Sequence, residues 1–216
     1  MILYNFRNRL LTSLGLLLLV FLIFEYNIFL LSALLVFGIF SIVEFFEINK
    51  KISKNSLLEL TRNLIFILFI FIFCTLFFLF SNIVQFKLIL FILLFGCIGS
   101  DIGGFIVGKM FKGPKLTKIS PKKTISGSLG SILFTTIIIS LLFFYFFKIF
   151  NLNIVTISII TSLACQTGDL FFSYLKRKAK MKDTGNILPG HGGVLDRLDG
   201  VFLGIPIGFI SLVILY

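Results

Sequence analysis

Charge is scarce in this chain. Only 13% of its 216 residues are Asp, Glu, Lys or Arg, about half the share of a soluble domain. With 58% hydrophobic residues and a mean hydropathy of +1.11, that scarcity excludes a soluble fold and makes the chain an integral membrane protein. Cysteine is equally sparse: Cys74, Cys97 and Cys165 lie in apolar segments at irregular spacing, which gives neither a disulfide framework nor a zinc pattern and leaves them as small packing residues. His191 is the only histidine, and without Cys or His neighbours it cannot build a zinc site; a phosphate contact or a loop-ordering hydrogen bond is the role left to it. No G-x-x-x-x-G-K-[ST] stretch occurs, which excludes a Walker A loop. No Gly/Ser or Pro linker and no internal repeat divides the chain, so a single transmembrane domain spanning 1–216 is expected. Acidic residues are few as well, 9 against 20 basic, for a net charge of +11. In a soluble protein such a balance could point to nucleic acid. Here the basic residues fall in short gaps between apolar runs, where they set topology and attract anionic headgroups or nucleotides, which argues against a nucleic-acid partner.

What is present is a series of apolar runs, each near the roughly 20 residues a bilayer requires. They predict an all-α, polytopic fold of seven spans at 10–24, 28–46, 64–84, 88–107, 128–147, 154–175 and 198–216. No small-residue cleavage site follows the first run, only Glu25-Tyr26-Asn27, so it reads as an uncleaved span. The gaps alternate in charge. Arg7 and Arg9 precede the first span; Lys50, Lys51, Lys54 and Arg62 follow the second; six lysines from Lys109 to Lys123 follow the fourth; and Lys176, Arg177, Lys178, Lys180, Lys182 and Arg197 follow the sixth. These are 18 of the 20 basic residues, leaving only Lys87 and Lys148 in opposite-side gaps. The N-terminus and both large polar loops are therefore expected on the cytoplasmic side, with the C-terminus outside.

All five aspartates, Asp101, Asp169, Asp183, Asp196 and Asp199, lie in or beside the loops after the fourth and sixth spans. A carboxylate in a membrane helix costs several kcal/mol unless it faces a polar cavity, a partner charge or an ion. Asp101 and Asp169 are open at this point to being snorkelling or Lys-paired carboxylates. Asp196 and Asp199, three apart at the expected start of the last helix, share one face and could equally cap that helix. Magnesium takes oxygen ligands in octahedral geometry, with one or two carboxylates plus water and phosphate, so two aspartates on one helix and a third on a neighbour would suffice. In the loop 108–130, Lys122 and Lys123 supply ammonium groups, and Ser120, Thr124 and Gly127 supply hydroxyl and close backbone contacts of the kind that hold phosphates. That loop is bounded by Pro and Gly and free to fold over a soluble ligand. Ser173, Lys176 and Arg177 have the i, i+3, i+4 spacing of one helix face at headgroup depth.

Two stretches carry a resemblance. Ser173-x-x-Lys176-Arg177, Lys182-Asp183-x-Gly185, Pro189-x-His191-Gly192-Gly193 and Asp196-Arg197-x-Asp199 are similar to the C-terminal motif of the phosphatidate cytidylyltransferase (CDP-diacylglycerol synthase) family. Asp101, Gly108-Lys109 and Ser120-Pro121-Lys122-Lys123-Thr124-x-x-Gly127 resemble its first motif. The chain departs from the pattern at Ser126, where a glutamate is expected. The resemblance implies a polytopic inner-membrane enzyme that joins CTP to phosphatidate and releases pyrophosphate, with the site on the cytoplasmic side of the C-terminal half, residues 91–216, behind N-terminal helices in 1–90. It implies Mg2+ on Asp169, Asp196 and Asp199, with Lys123 beside them as a further catalytic residue. It also implies substrate binding by Asp101, Ser120, Lys122, Thr124, Ser173, Lys176, Arg177, Lys182, Asp183, His191, Gly192, Gly193 and Arg197. Two other readings stay open, a CTP-dependent transferase or kinase acting on a polyprenol or ether lipid, and an anion transporter. A homodimer is compatible with the sequence.

Overall fold

The computed structural model describes residues 15, 18–53, 55–117, 119–121, 123–185 and 192–216. The described chain is helical: α1 (Asn27–Ile52), α2 (Ser56–Ser81), α3 (Val84–Phe111), α4 (Ile125–Phe147), α5 (Leu152–Lys178), the one-turn α6 (Leu195–Leu198) and α7 (Val201–Leu215); residues 18–25 are helical too. Among the described residues six helices are long and apolar enough to cross a membrane, α1 to α5 and the stretch Leu195–Leu215. They coincide with six of the seven predicted spans. Of the first, 10–24, only 15 and 18–24 are described, and these are helical. The protein is an all-α polytopic membrane protein, the architecture that lets each spanning segment satisfy its own backbone hydrogen bonds.

Helix ends differ from the apolar windows for local reasons. The third predicted span begins eight residues early, at Ser56, because Asn55 caps the helix by accepting a 2.9 Å bond from the Leu57 amide, a standard use of asparagine before a first turn. Arg62, expected in a gap, is therefore on α2. The next gap is also shorter than expected: α3 starts at Val84, so Lys87 is in its first turn. Thr124 caps α4 by accepting from the Gly127 amide at 3.1 Å. The extension of the sixth span into Ser173–Lys178 is as expected, and α5 closes with Lys180 in the left-handed region (φ 55°) while the Met181 amide donates back to the Lys176 carbonyl at 2.9 Å, the helix-ending geometry of a Schellman motif.

The chain divides into two compact units, Met1–Ile83 with Leu175–Leu198, and Val84–Tyr174 with Asp199–Tyr216. In the first unit α1 and α2 pack through Phe45 stacked on Phe66, with ring centroids 3.9 Å apart, and through buried Ile48 and Ile70. A polar cluster closes their ends: Asn49 donates to the side chain of Asn63 at 2.6 Å and to the Glu59 carbonyl at 2.9 Å.

In the second unit the core is Leu90, Leu93, Cys97, Ile139, Ile157 and Phe202. Helices α3 and α4 touch backbone to backbone. A Cβ at Gly127 would lie 2.8 Å from the Gly104 carbonyl oxygen, and one at Gly103 would lie 2.5 Å from that of Gly130, the close approach that small residues permit between membrane helices. Buried hydroxyls of α4 and α5 bond to carbonyls of their own helix: Thr135 donates to the Ser131 carbonyl at 2.8 Å, and Ser158 and Thr161 donate to the carbonyls of Ile154 and Ile157. Such back-bonding satisfies a polar group where no water reaches.

Candidate active site

The second unit holds a cavity of about 290 Å3 lined by Ser100, Asp101, Ser120, Lys123, Thr124, Ser128, Gln166 and Asp169, among others. Its walls come from α3, α4, α5 and the connection between α3 and α4. That connection is closed on itself: the Leu116 amide donates to the Lys123 carbonyl at 2.8 Å, the Ile125 amide to the Pro114 carbonyl at 2.9 Å, and the Lys123 amide to the Ser120 carbonyl at 3.0 Å. These bonds deliver Lys123 to Asp169, and the two form an ion pair whose side chains are each 27% exposed. Ser173, one turn on, donates to the other Asp169 oxygen at 3.3 Å. Five predicted residues, Asp101, Ser120, Lys123, Thr124 and Asp169, therefore line one space, and Asp169 is indeed a Lys-paired carboxylate. Ser126, the departure from the family pattern, accepts from the Gly113 amide at 3.2 Å and lies 3.0 Å from the Thr124 hydroxyl.

Beneath that pair runs a polar chain that the motifs do not reveal. Ser128 donates to Gln166 at 2.5 Å, Gln166 donates to Ser162 at 3.2 Å, and Ser162 lies 3.4 Å from Ser100. Asp199, in the turn between α6 and α7, is buried, and its carboxylate accepts from the Gly200 amide at 2.8 Å.

The first unit holds the other motif residues. Lys176, only 8% exposed, pairs with Asp196 at 2.6 Å. The second Asp196 oxygen accepts from the amides of Thr184 at 2.9 Å and Gly193 at 3.2 Å. Three donors thus surround one carboxylate that is only 10% exposed and balance its charge where water is scarce. Gly192 adopts φ 86°, which suits glycine. Arg177 is exposed and donates to the Met181 carbonyl at 3.2 Å; Lys182, Asp183 and Arg197 are exposed. Lys122 and His191 lie outside the described residues.

Asp196 and Asp199 were expected on one face of a continuous helix. Instead α6 ends at Leu198, and the two carboxylates take different partners. Among the described residues no three His, Cys, Asp or Glu side chains group closely enough to hold a metal ion. The donor chemistry of the cavity nevertheless fits magnesium, because Asp101, Asp169, Ser120 and Ser128 are all hard oxygen donors around one space and Mg2+ needs only one or two carboxylates when water and phosphate complete its shell.

The most consequential residue missed in the sequence is Glu44. It is 2% exposed, and it accepts from the Thr184 hydroxyl at 2.6 Å and from the Val194 and Leu195 amides at 2.9 and 2.8 Å. The signal that could have found it is the rule applied to the aspartates, that a carboxylate within an apolar span has a partner.

Comparison with known proteins decides the family. The model of the cytidylyltransferase family matches residues 2–215. The chain belongs to the cytidylyltransferase family. Among curated relatives, a phosphatidate cytidylyltransferase of Rickettsia felis is 45% identical over 129 residues, covering 55% of this chain and 56% of the relative. One from Rickettsia bellii is 45% identical over 129 residues, 55% of each. One from Staphylococcus aureus (strain COL) is 44% identical over 112 residues, 50% of this chain and 42% of the relative. The chain thus spans about half the length of the curated relatives it matches. Membership in the cytidylyltransferase family agrees with the resemblance carried by Asp101–Gly127 and Ser173–Asp199.

Proposed function

We propose that this protein is a phosphatidate cytidylyltransferase, making CDP-diacylglycerol and pyrophosphate from CTP and phosphatidate in an inner membrane, with its polar motifs facing the cytoplasm. The observation that carries the reading is the Lys123–Asp169 pair on a cavity lined by hydroxyls and a second carboxylate, in a chain whose family membership is established. The orientation rests on the 18-to-2 division of basic residues.

In the proposed reaction a phosphate oxygen of phosphatidate attacks the α-phosphorus of CTP. A new P–O bond forms as the bond to the bridging oxygen of the β-phosphate breaks, and pyrophosphate leaves. The attacking phosphate is already anionic, so no strong base is needed; positioning and charge compensation supply the catalysis. Lys123 exchanges its carboxylate partner for triphosphate oxygens, while Ser120 and Thr124 offer hydroxyls at the cavity wall. Arg177, exposed at the end of α5, receives the lipid phosphate. Magnesium would be held through Asp169, with Asp101 on the same cavity, and would neutralise phosphate charge. Of the other residues of the implied metal set, Asp199 belongs to the second unit, its backbone packed against Gly168 beside Asp169, and Asp196 belongs to the first.

The test is an assay of the full chain in mixed micelles with CTP, phosphatidate and Mg2+. CDP-diacylglycerol is the expected product, and its formation should stop with excess EDTA. Turnover that persists in EDTA removes the magnesium reading. Product formed only when phosphatidate is replaced by a polyprenol or ether lipid moves the protein to the related transferases, and no product from any acceptor overturns the proposal.

A further inference from the structure

The N-terminal helices have no part in the motifs, yet α1 carries a carboxylate inside the first unit's polar segment. Glu44 reaches across 140 to 151 positions of sequence to accept three hydrogen bonds, from Thr184, Val194 and Leu195. Thr184 and Leu195 are fully buried and Val194 is 2% exposed, so no water is available to replace those bonds. The contact also dictates its neighbours. A Cβ at Gly193 would overlap the Thr184 hydroxyl and the Glu44 carboxylate, and one at Gly185 would lie 2.8 Å from Glu44 Oε1.

The donors are shared out between two carboxylates. Thr184 gives its hydroxyl to Glu44 and its amide to Asp196. Of three consecutive amides, Gly193 donates to Asp196, while Val194 and Leu195 donate to Glu44. Asp196 in turn holds Lys176. The backbone that fixes Asp196 is therefore itself fixed by Glu44.

We propose that Glu44 is a positioning residue: it clamps the segment at Thr184 and Gly193–Leu195 and thereby sets the Lys176–Asp196 pair for turnover. The catalytic part of this statement rests on the cytidylyltransferase reading; the clamp does not. Glutamine is the discriminating substitution, since it keeps the shape but turns one acceptor oxygen into an NH2 donor. Either amide orientation then sets a donor against a backbone N–H.

The experiment measures amide exchange and kinetics on the full-length protein in detergent micelles. In Glu44→Gln the Val194 and Leu195 amides should exchange about tenfold faster or more, while amides of α2 keep their protection. Thr184→Val, which leaves both amide bonds to Glu44 in place, should give a smaller increase and covers the case in which Glu44→Gln does not fold. In the kinetic arm kcat should fall by about 10- to 100-fold in Glu44→Gln with KM for CTP within about twofold, and Glu44→Asp, which keeps two acceptor oxygens, should recover part of the loss. Unchanged protection at 194 and 195 in both variants overturns the clamp. Lost protection with unchanged kcat, or a rise in KM for CTP that accounts for the whole loss, overturns the positioning role. A wild-type chain that makes no CDP-diacylglycerol fails the functional reading alone, and the exchange arm still decides the clamp.

Discussion

The two lysine–aspartate pairs use the same groups in different surroundings. Lys123 and Asp169 are each 27% exposed and face a cavity, whereas Lys176 and Asp196 are 11% and 10% exposed and are hemmed in by backbone amides. An ion pair open to water contributes about 0–1 kcal/mol, so its members can change partners cheaply when a charged ligand arrives. A buried pair is costly to break from one side, because the remaining charge is stranded. The open pair is suited to meeting substrate and the buried one to holding a polypeptide segment in place.

The largest effect that would sharpen this contrast is on stability. Lys176→Ala should destabilise the protein by about 3–5 kcal/mol in denaturant unfolding from micelles. Lys176→Met with Asp196→Asn should regain most of that without regaining turnover. A loss as large in Lys123→Ala would erase the distinction between the pairs. Next comes chemistry: Asp169→Asn should lower kcat by about 10²- to 10³-fold while changing unfolding free energy by less than about 1 kcal/mol. Near-normal turnover in that variant would take the open pair out of the reaction.

Substrate dependence separates the groups further. Lys123→Ala should raise the KM for CTP more than that for phosphatidate, and Arg177→Ala should do the reverse, each by about 1.5–3 kcal/mol for a lost charge-assisted contact, roughly 10- to 100-fold. Equal weakening of both substrates in both variants would point to one shared phosphate pocket. The smallest effect is expected at Ser126, whose hydroxyl only braces the connection beside the open pair through Gly113 and Thr124. Ser126→Ala should cost about 0.5–1.5 kcal/mol of stability and leave kcat within about twofold.

The spans were legible because each is a continuous apolar run, and a bilayer imposes that pattern locally. Their ends were not, because α2 begins in a polar turn with Glu59 and Arg62, where the decisive event is one Asn55 side chain accepting one amide. In the same way the polar residues of the site were legible as types, since Asp and Lys are conspicuous among Leu, Ile and Phe. Their pairing was not. Lys123 and Asp169 are 46 positions apart, and Glu44 is 150 from Val194; no local period links such residues. Gly127, expected to approach phosphate, also brings α4 onto α3. From sequence alone a glycine that admits a ligand and a glycine that admits another helix look alike.

That last glycine sets a limit on how the cavity could diversify. Gly104 and Gly127 both line it, and each stands where an added methyl group would collide, with the Ser131 hydroxyl at 2.6 Å in one case and the Gly104 carbonyl at 2.8 Å in the other. At Gly127 the wall is therefore bare main chain, and substitution there would prise two helices apart, while at Gly104 it would have to displace the Ser131 hydroxyl from the Ser100 carbonyl. Adaptation to a bulkier or smaller guest is left to side chains such as Phe105, Leu116 and Ser120, which line the same space and can be exchanged without moving a helix.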